Sequence, residues 1–125
     1  MDEIEVVGGE YVFKVNGFQY SLKGHPEIEY GGKHYEPVLD TEGNIIAYKS
    51  VPNGPSKITV TLVDLKSLDI IDLQQTKNAT VTLDKPNGKT FVMENACCGE
   101  PITESCEEGE VKVVFTAGKA DEQNS

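Results

Sequence analysis

Polar and apolar residues alternate with a period of two over most of the chain, the pattern of strands with one buried face. Residues 11–15 and 18–22 flank Asn16-Gly17. That pair suits the positive φ angles of a two-residue type I′ turn and predicts a tight hairpin. In its second strand Phe18, Tyr20 and Leu22 alternate with Gln19, Ser21 and Lys23. Residues 57–63 set Ile58, Val60 and Leu62 against Thr59, Thr61 and Val63, which reads as another strand. Residues 80–83 and 90–93 form a second hairpin through Pro86-Asn87-Gly88. Its later strand runs on through Ala96-Cys97-Cys98 until Gly99-Glu100-Pro101 breaks it. After a turn at Glu107-Glu108-Gly109, Val111, Val113 and Phe115 mark one face of a last strand. One stretch has a different period. Leu65, Leu68 and Ile71 recur at threes, with Ile70 and Leu73 beside them and Asp69 and Asp72 on the polar side. This predicts a helix of roughly two to three turns, started by Asp64 or Ser67. Residues 1–9 and the polar tail 118–125 are expected to be flexible.

Residues 24–56 interrupt the pattern. Pro26, Gly31, Gly32, Pro37, Gly43, Pro52, Gly54 and Pro55 punctuate them, so a long irregular loop is expected. Its composition is not that of a solvated linker, because it carries Tyr30, Tyr35, Val38, Leu39, Ile45, Ile46 and Tyr48. These seven residues are the candidate inter-subunit contacts: the loop is expected to become ordered against something, such as another subunit.

Length and charge narrow the function. The 125 residues make a single domain, 1–125, long enough to bury a core without a disulfide or a metal. There are 21 acidic residues against 11 basic ones, all Lys, for a net charge of −10. Affinity for nucleic acid rests on cationic contacts to phosphate, so this composition makes a poor DNA or RNA ligand. Anionic membrane surfaces repel it for the same reason. No apolar run reaches the ~20 residues of a membrane span. The acidic start of the chain is unlike a secretory signal. The three cysteines, Cys97, Cys98 and Cys106, are an odd set that reads as reduced thiols acting as small apolar residues. Both observations predict a cytoplasmic setting.

The charge is also localised. Residues 1–10 and 100–110 hold nine of the 21 acids and no Lys, leaving twelve acids to face eleven Lys elsewhere. Glu104, Glu107, Glu108 and Glu110 form the candidate acidic face. It reads either as a solvated segment that aids solubility or as a surface that repels a polyanion.

Catalytic chemistry is sparse. His25 and His34 lie nine residues apart, without the short His/Cys spacing of a zinc site. No G-x-S-x-G elbow occurs. Gly8-Gly9 and Gly31-Gly32 lack the Lys and helix start of a phosphate loop. The glutamates of residues 100–110 lack the Asp/Asn alternation of a calcium loop. No catalytic, cofactor-binding or metal-ligating residue is expected. A small binding module or metal-dependent enzyme using His25, His34, Glu104 or Cys106 remains as a lesser alternative.

The order of short motifs resembles the tail tube proteins of contractile-tailed phages, of the Mu-like and related prophage type. The matching segments are Lys14-Val15-Asn16-Gly17, Glu36-Pro37-Val38, Ala47-Tyr48-Lys49 followed by Pro52, and Ala79-Thr80-Val81-Thr82-Leu83. They continue with Asn87-Gly88-Lys89-Thr90-Phe91, Asn95-Ala96, Gly99-Glu100-Pro101 and Glu108-Gly109, and span residues 11–116. Tyr35 stands where that family often has a basic residue, and Cys97 and Cys98 where it carries apolar ones. The resemblance implies a mainly β (α+β) fold, similar to the haemolysin-coregulated tube protein of type VI secretion. Two roughly orthogonal antiparallel sheets would form a sandwich or barrel-like domain with one short helix. It implies six-membered homo-oligomeric rings stacked into a tube inside a contractile sheath. Sheath, baseplate and tail terminator proteins would be partners, and DNA would pass through without specific binding. The tube would belong to the virion tail, assembled in the cytoplasm of a bacterial host. A bacteriocin-type or secretion tube that carries no genome is the alternative.

Overall fold

The computed structural model describes residues 11–118 and 120–124, excepting the side chains of Asn53 and Asn124. The acidic stretch 1–10 and the expected flexibility of residues 1–9 lie outside these. The first hairpin forms as its turn chemistry requires. Strand β1 (Val12–Val15) pairs with β2 (Phe18–Tyr20). Asn16 and Gly17 take φ of 53° and 81°, the left-handed values of a type I′ turn. Short β3 (Glu27–Glu29) follows, then β4 (Gly32–Leu39) and β5 (Ile45–Gly54). Strand β6 (Ser56–Val63) buries every second residue, as its alternation predicts. Beyond helix α1 (Ile70–Gln74), β7 (Ala79–Asp84) and β8 (Lys89–Cys98) make the second hairpin. Then come β9 (Thr103–Ser105), β10 (Glu110–Ala117) and β11 (Ala120–Asn124).

Pairing runs β2-β1-β7-β8-β10-β6-β3, all antiparallel, while β4 and β5 form a separate two-stranded sheet. Strand β8 joins the two halves of the larger sheet. Residues 89–93 pair with β7 and β11, and Cys97 and Cys98 pair with β10. Between them Asn95 has φ 56° and the register with β7 shifts. This bulge lets one strand turn from one sheet into the other, the way corners are made between sheets packed at a steep angle. It also breaks the alternation: Met93 and Ala96, three apart, are both buried. Beyond β2 the chain reaches β6, where Leu22 bridges Leu62 and Lys23 N–H donates to the Thr61 carbonyl at 2.8 Å. The sheet thereby closes on itself like a barrel. Its interior holds Phe13, Ile58, Leu62, Leu83, Phe91, Met93, Val113 and Phe115, among others.

The structure corrects four expectations. The helix has five residues and starts at Asp69, whose Oδ1 accepts from Asp72 N–H at 3.0 Å. A carboxylate at this position competes as a cap, so residues 65–68 make a turn ahead of the helix instead of its first turn. The polar tail, expected to fray, forms β11 against residues 89–93 of β8. Backbone pairing there needs no apolar side chains. Finally, residues 24–56 are not irregular: they contain β3 and the paired strands β4 and β5. The small-apolar reading of the cysteines suits only Cys98, which packs against the core; Cys97 and Cys106 are exposed.

Candidate functional site

Strands β4 and β5 form a two-stranded ribbon that lies outside the closed sheet. Every residue of β4 is exposed. The register puts Tyr35 opposite Ser50, Pro37 opposite Tyr48 and Leu39 opposite Ile45. Successive residues face opposite ways, so the first two pairs share one face; the register shifts between Val38 and Leu39, ahead of the third. His34, Glu36 and Val38 occupy the other, opposite Val51, Lys49 and Ala47. Tyr35 and Tyr48 together line a shallow apolar depression. Tyr48 is 69% exposed, Ile46 64% and Tyr35 57%; Val38, Leu39 and Ile45 are exposed as well. The far turn is fixed by Asp40, whose Oδ1 accepts from Glu42 N–H and Asn44 N–H, both at 2.9 Å. Those donors hold its carboxyl below the usual aspartate range.

The ribbon is joined to the body by close-packed contacts. Gly31 N–H donates to Oγ of buried Ser56 at 2.8 Å. A Cβ at Gly31 would lie 2.5 Å from the Gly54 carbonyl oxygen and 2.6 Å from Ser56 N. Only glycine therefore fits where the two ribbon strands leave the body. Tyr30, grouped by sequence with the ribbon residues, is engaged within its own subunit. Its ring meets Phe91 edge-on at 5.5 Å between centroids. Its hydroxyl donates to Glu122 Oε2 at 2.9 Å. Lys85 also reaches Glu122 Oε2, and Lys89 reaches Oε1 at 3.1 Å. Hydrogen bonds from Lys85, then Lys89 and Tyr30, hold the Glu122 carboxyl down to about 2. Glu122 raises the Lys85 pKa in return.

The linkage has a definite sign. Glu122 titrates near 4.5 without these partners. Its stabilising effect is complete above that value and is lost as pH falls toward about 2. Lys85, shifted upward, keeps its effect below 10.5. Melting temperatures of the wild type and Glu122→Gln are expected to differ by a constant amount from about pH 5 to 10. The gap then closes in acid.

The acidic residues gather at the β9–β10 turn. Glu104, Glu107 and Glu108 are exposed and Glu110 is half-buried. Cys106 Sγ donates to Glu104 Oε2 at 3.3 Å, and that contact raises the thiol pKa. The Glu110 carboxyl is raised chiefly by its hydrogen bond with Glu108, against the lowering effect of Lys23 at 3.8 Å. Glu110 pairs with Val63 at one end of β6, and Ala117 with Ser56 at the other. The ribbon leaves beside Ser56. Eight residues of β6 thus put the acidic turn and the ribbon root ~24 Å apart, at opposite ends of the subunit. His25 packs edge-on against Tyr11 at 5.8 Å, while His34 lies on the ribbon. Among the described residues no three of His, Cys, Asp and Glu come together as a metal site.

A sequence profile of the phage tail tube protein family matches residues 4–122. The chain belongs to that family, which is one of structural tube proteins. No curated protein matches it by sequence. Solved structures share its fold at low identity. A chain of the sheath–tube complex of the extracellular contractile injection system PVC, in its extended state, is 13% identical with a TM-score of 0.63. That match covers 96% of this chain and 92% of the other. The tube-terminating cap of the anti-feeding prophage is 12% identical at 0.62, covering 99% and 97%. Hcp1 from Flavobacterium johnsoniae is 12% identical at 0.56, covering 92% and 95%.

Proposed function

We propose that this chain is the structural subunit of a contractile phage tail tube, of the Mu-like prophage type. Six copies close into a ring, rings stack into a tube within a sheath, and the tube conducts DNA or pierces the target envelope. The observation that carries this reading is the β4–β5 ribbon. A two-stranded ribbon in water is marginal by itself, and this one bares Tyr35, Val38, Leu39, Ile45, Ile46 and Tyr48. Contiguous exposed apolar surface of this kind marks an interaction site. The ribbon and the acidic turn lie at opposite ends of the subunit, as a head-to-tail stack requires, since such contacts join unlike surfaces. Sheath, baseplate and tail terminator are its partners in the virion tail, which is put together in the host cytoplasm.

The acidic turn fits a lumen or ring face. Six copies of a −10 chain carry about −60 per ring, and like charge lets a polyanion slide instead of adhering. Lys substitution at Glu107 and Glu108 is therefore expected to leave rings intact and to slow genome ejection in a phage carrying the variant. Unchanged ejection would remove the DNA-repelling role of the turn. A second reading, a tube that carries no genome, is favoured by the similarity to an injection-system tube complex and to Hcp1. Capsid and terminase genes beside the gene for this chain would decide for the phage. Sedimentation velocity and electron microscopy of the purified protein, with a nucleating baseplate fraction added, test the shared core of both readings. Rings and tubes are expected; a monomer under every condition, nucleated ones included, would contradict it.

A further inference from the structure

We propose that Glu122 is the positioning residue of the ribbon, fastening Tyr30 at the ribbon root to the β7–β8 hairpin so that the arm leaves the subunit in one direction. The inference rests on the ribbon being an assembly contact, and it adds what sets the ribbon's aim. Three donors from two places converge on this one carboxylate. Lys85 and Lys89 come from the turn and start of β8, and Tyr30 comes from the segment just before β4. Lys85 Nζ also donates to the Tyr30 hydroxyl at 3.3 Å, which closes the triangle. Glu122 itself sits on β11, opposite Phe91 in the register. Phe91 is the buried ring on which Tyr30 leans. The final strand, the hairpin and the ribbon root are therefore tied at one point. On the inner side, the Gly31 N–H bond to Ser56 Oγ and the pairing of Glu29 with Lys57 just ahead of it hold the two strands together where the ribbon leaves the body. Beyond that point the ribbon is a lone pair of strands that can twist and bend about its root, and the Tyr30–Glu122 contact, on a different strand and hairpin, fixes its direction. A ribbon aimed in advance loses less conformational freedom when it docks.

The test is a distance measurement by pulsed electron spin resonance on the full chain, held below its assembly concentration. Spin labels go at Glu42→Cys in the ribbon turn and Lys112→Cys on β10, with Cys97, Cys98 and Cys106 changed to Ser. The parent is expected to give one narrow distance distribution. Glu122→Ala is expected to broaden it with little change in the circular dichroism of the sheet, and Glu122→Gln, which keeps an acceptor for Tyr30, to broaden it less. Tyr30→Phe keeps the ring on Phe91 and removes only the hydroxyl, so it serves if Glu122→Ala does not fold. It too is expected to broaden the distribution, and Glu122→Ala added to it to broaden it little further. Distributions unchanged in both Tyr30→Phe and Glu122→Gln would overturn the proposal. Ring formation by Glu122→Gln separates the two ideas. A broadened ribbon with slowed assembly supports both, whereas a broadened ribbon with assembly at the parent rate keeps the positioning role and removes the ribbon from the interface.

Discussion

Replacing Tyr35 and Tyr48 together by serine is expected to abolish ring and tube assembly while leaving the subunit folded. The two rings stand on one face of the ribbon and line its apolar depression. Neither belongs to the buried core or to the residues packed against it. Buried aromatic anchors in an interface are worth ~2 kcal/mol or more each, so losing two weakens each contact about a thousandfold. A closed ring repeats that loss at every contact. Sedimentation velocity reads the assembly, and thermal melting followed by circular dichroism reads the fold. Tubes formed at the parental concentration would remove the ribbon from the account. Serine at Phe18 is the control: it is 61% exposed but lies on β2, away from the ribbon.

The largest effect on stability is expected from Phe115→Ala. Phe115 is fully buried, pairs across β10 with Ile58 of β6 and Cys98 of β8, and sits 5.9 Å from the Phe13 ring. It thus bridges both halves of the closed sheet. Removing a buried phenyl ring costs ~3–5 kcal/mol through lost transfer energy and the cavity left behind. Against a typical ~5–15 kcal/mol of total stability, this leaves the domain marginal or unfolded. Urea unfolding measures it directly. A loss under ~1 kcal/mol would mean that the core relaxes around the missing ring and that Phe115 does not hold the two halves together.

What the sequence made legible was local. Asn16-Gly17 specifies its turn because both residues must take positive φ, and β6 alternates cleanly because it buries one face. The bulge at Asn95 was hidden because one extra residue reverses the alternation without any change in composition. Strand β11 was hidden because it is polar and held by backbone pairing to β8. The ribbon reads as a loop because its glycines and prolines look like breaks, yet Pro37 and Pro52 stand on a ribbon with exposed edges, where a missing donor is tolerated. The helix reads longer in sequence than it is because Leu65 and Leu68 keep a threefold spacing inside a turn. Of the candidate site, the apolar character of the ribbon was visible while its face was not. The bonds of Tyr30 to Lys85 and Glu122 span 55 and 92 residues, beyond any spacing rule.

Electron cryomicroscopy of particles grown from the purified chain tests most directly whether the ribbon joins subunits into a tube. A tube of stacked six-membered rings, with Tyr35 and Tyr48 of each subunit buried against a neighbour and the acidic turn on the lumen or a ring face, is the predicted result. A tube in which the β4–β5 ribbon stands free in solvent would contradict it.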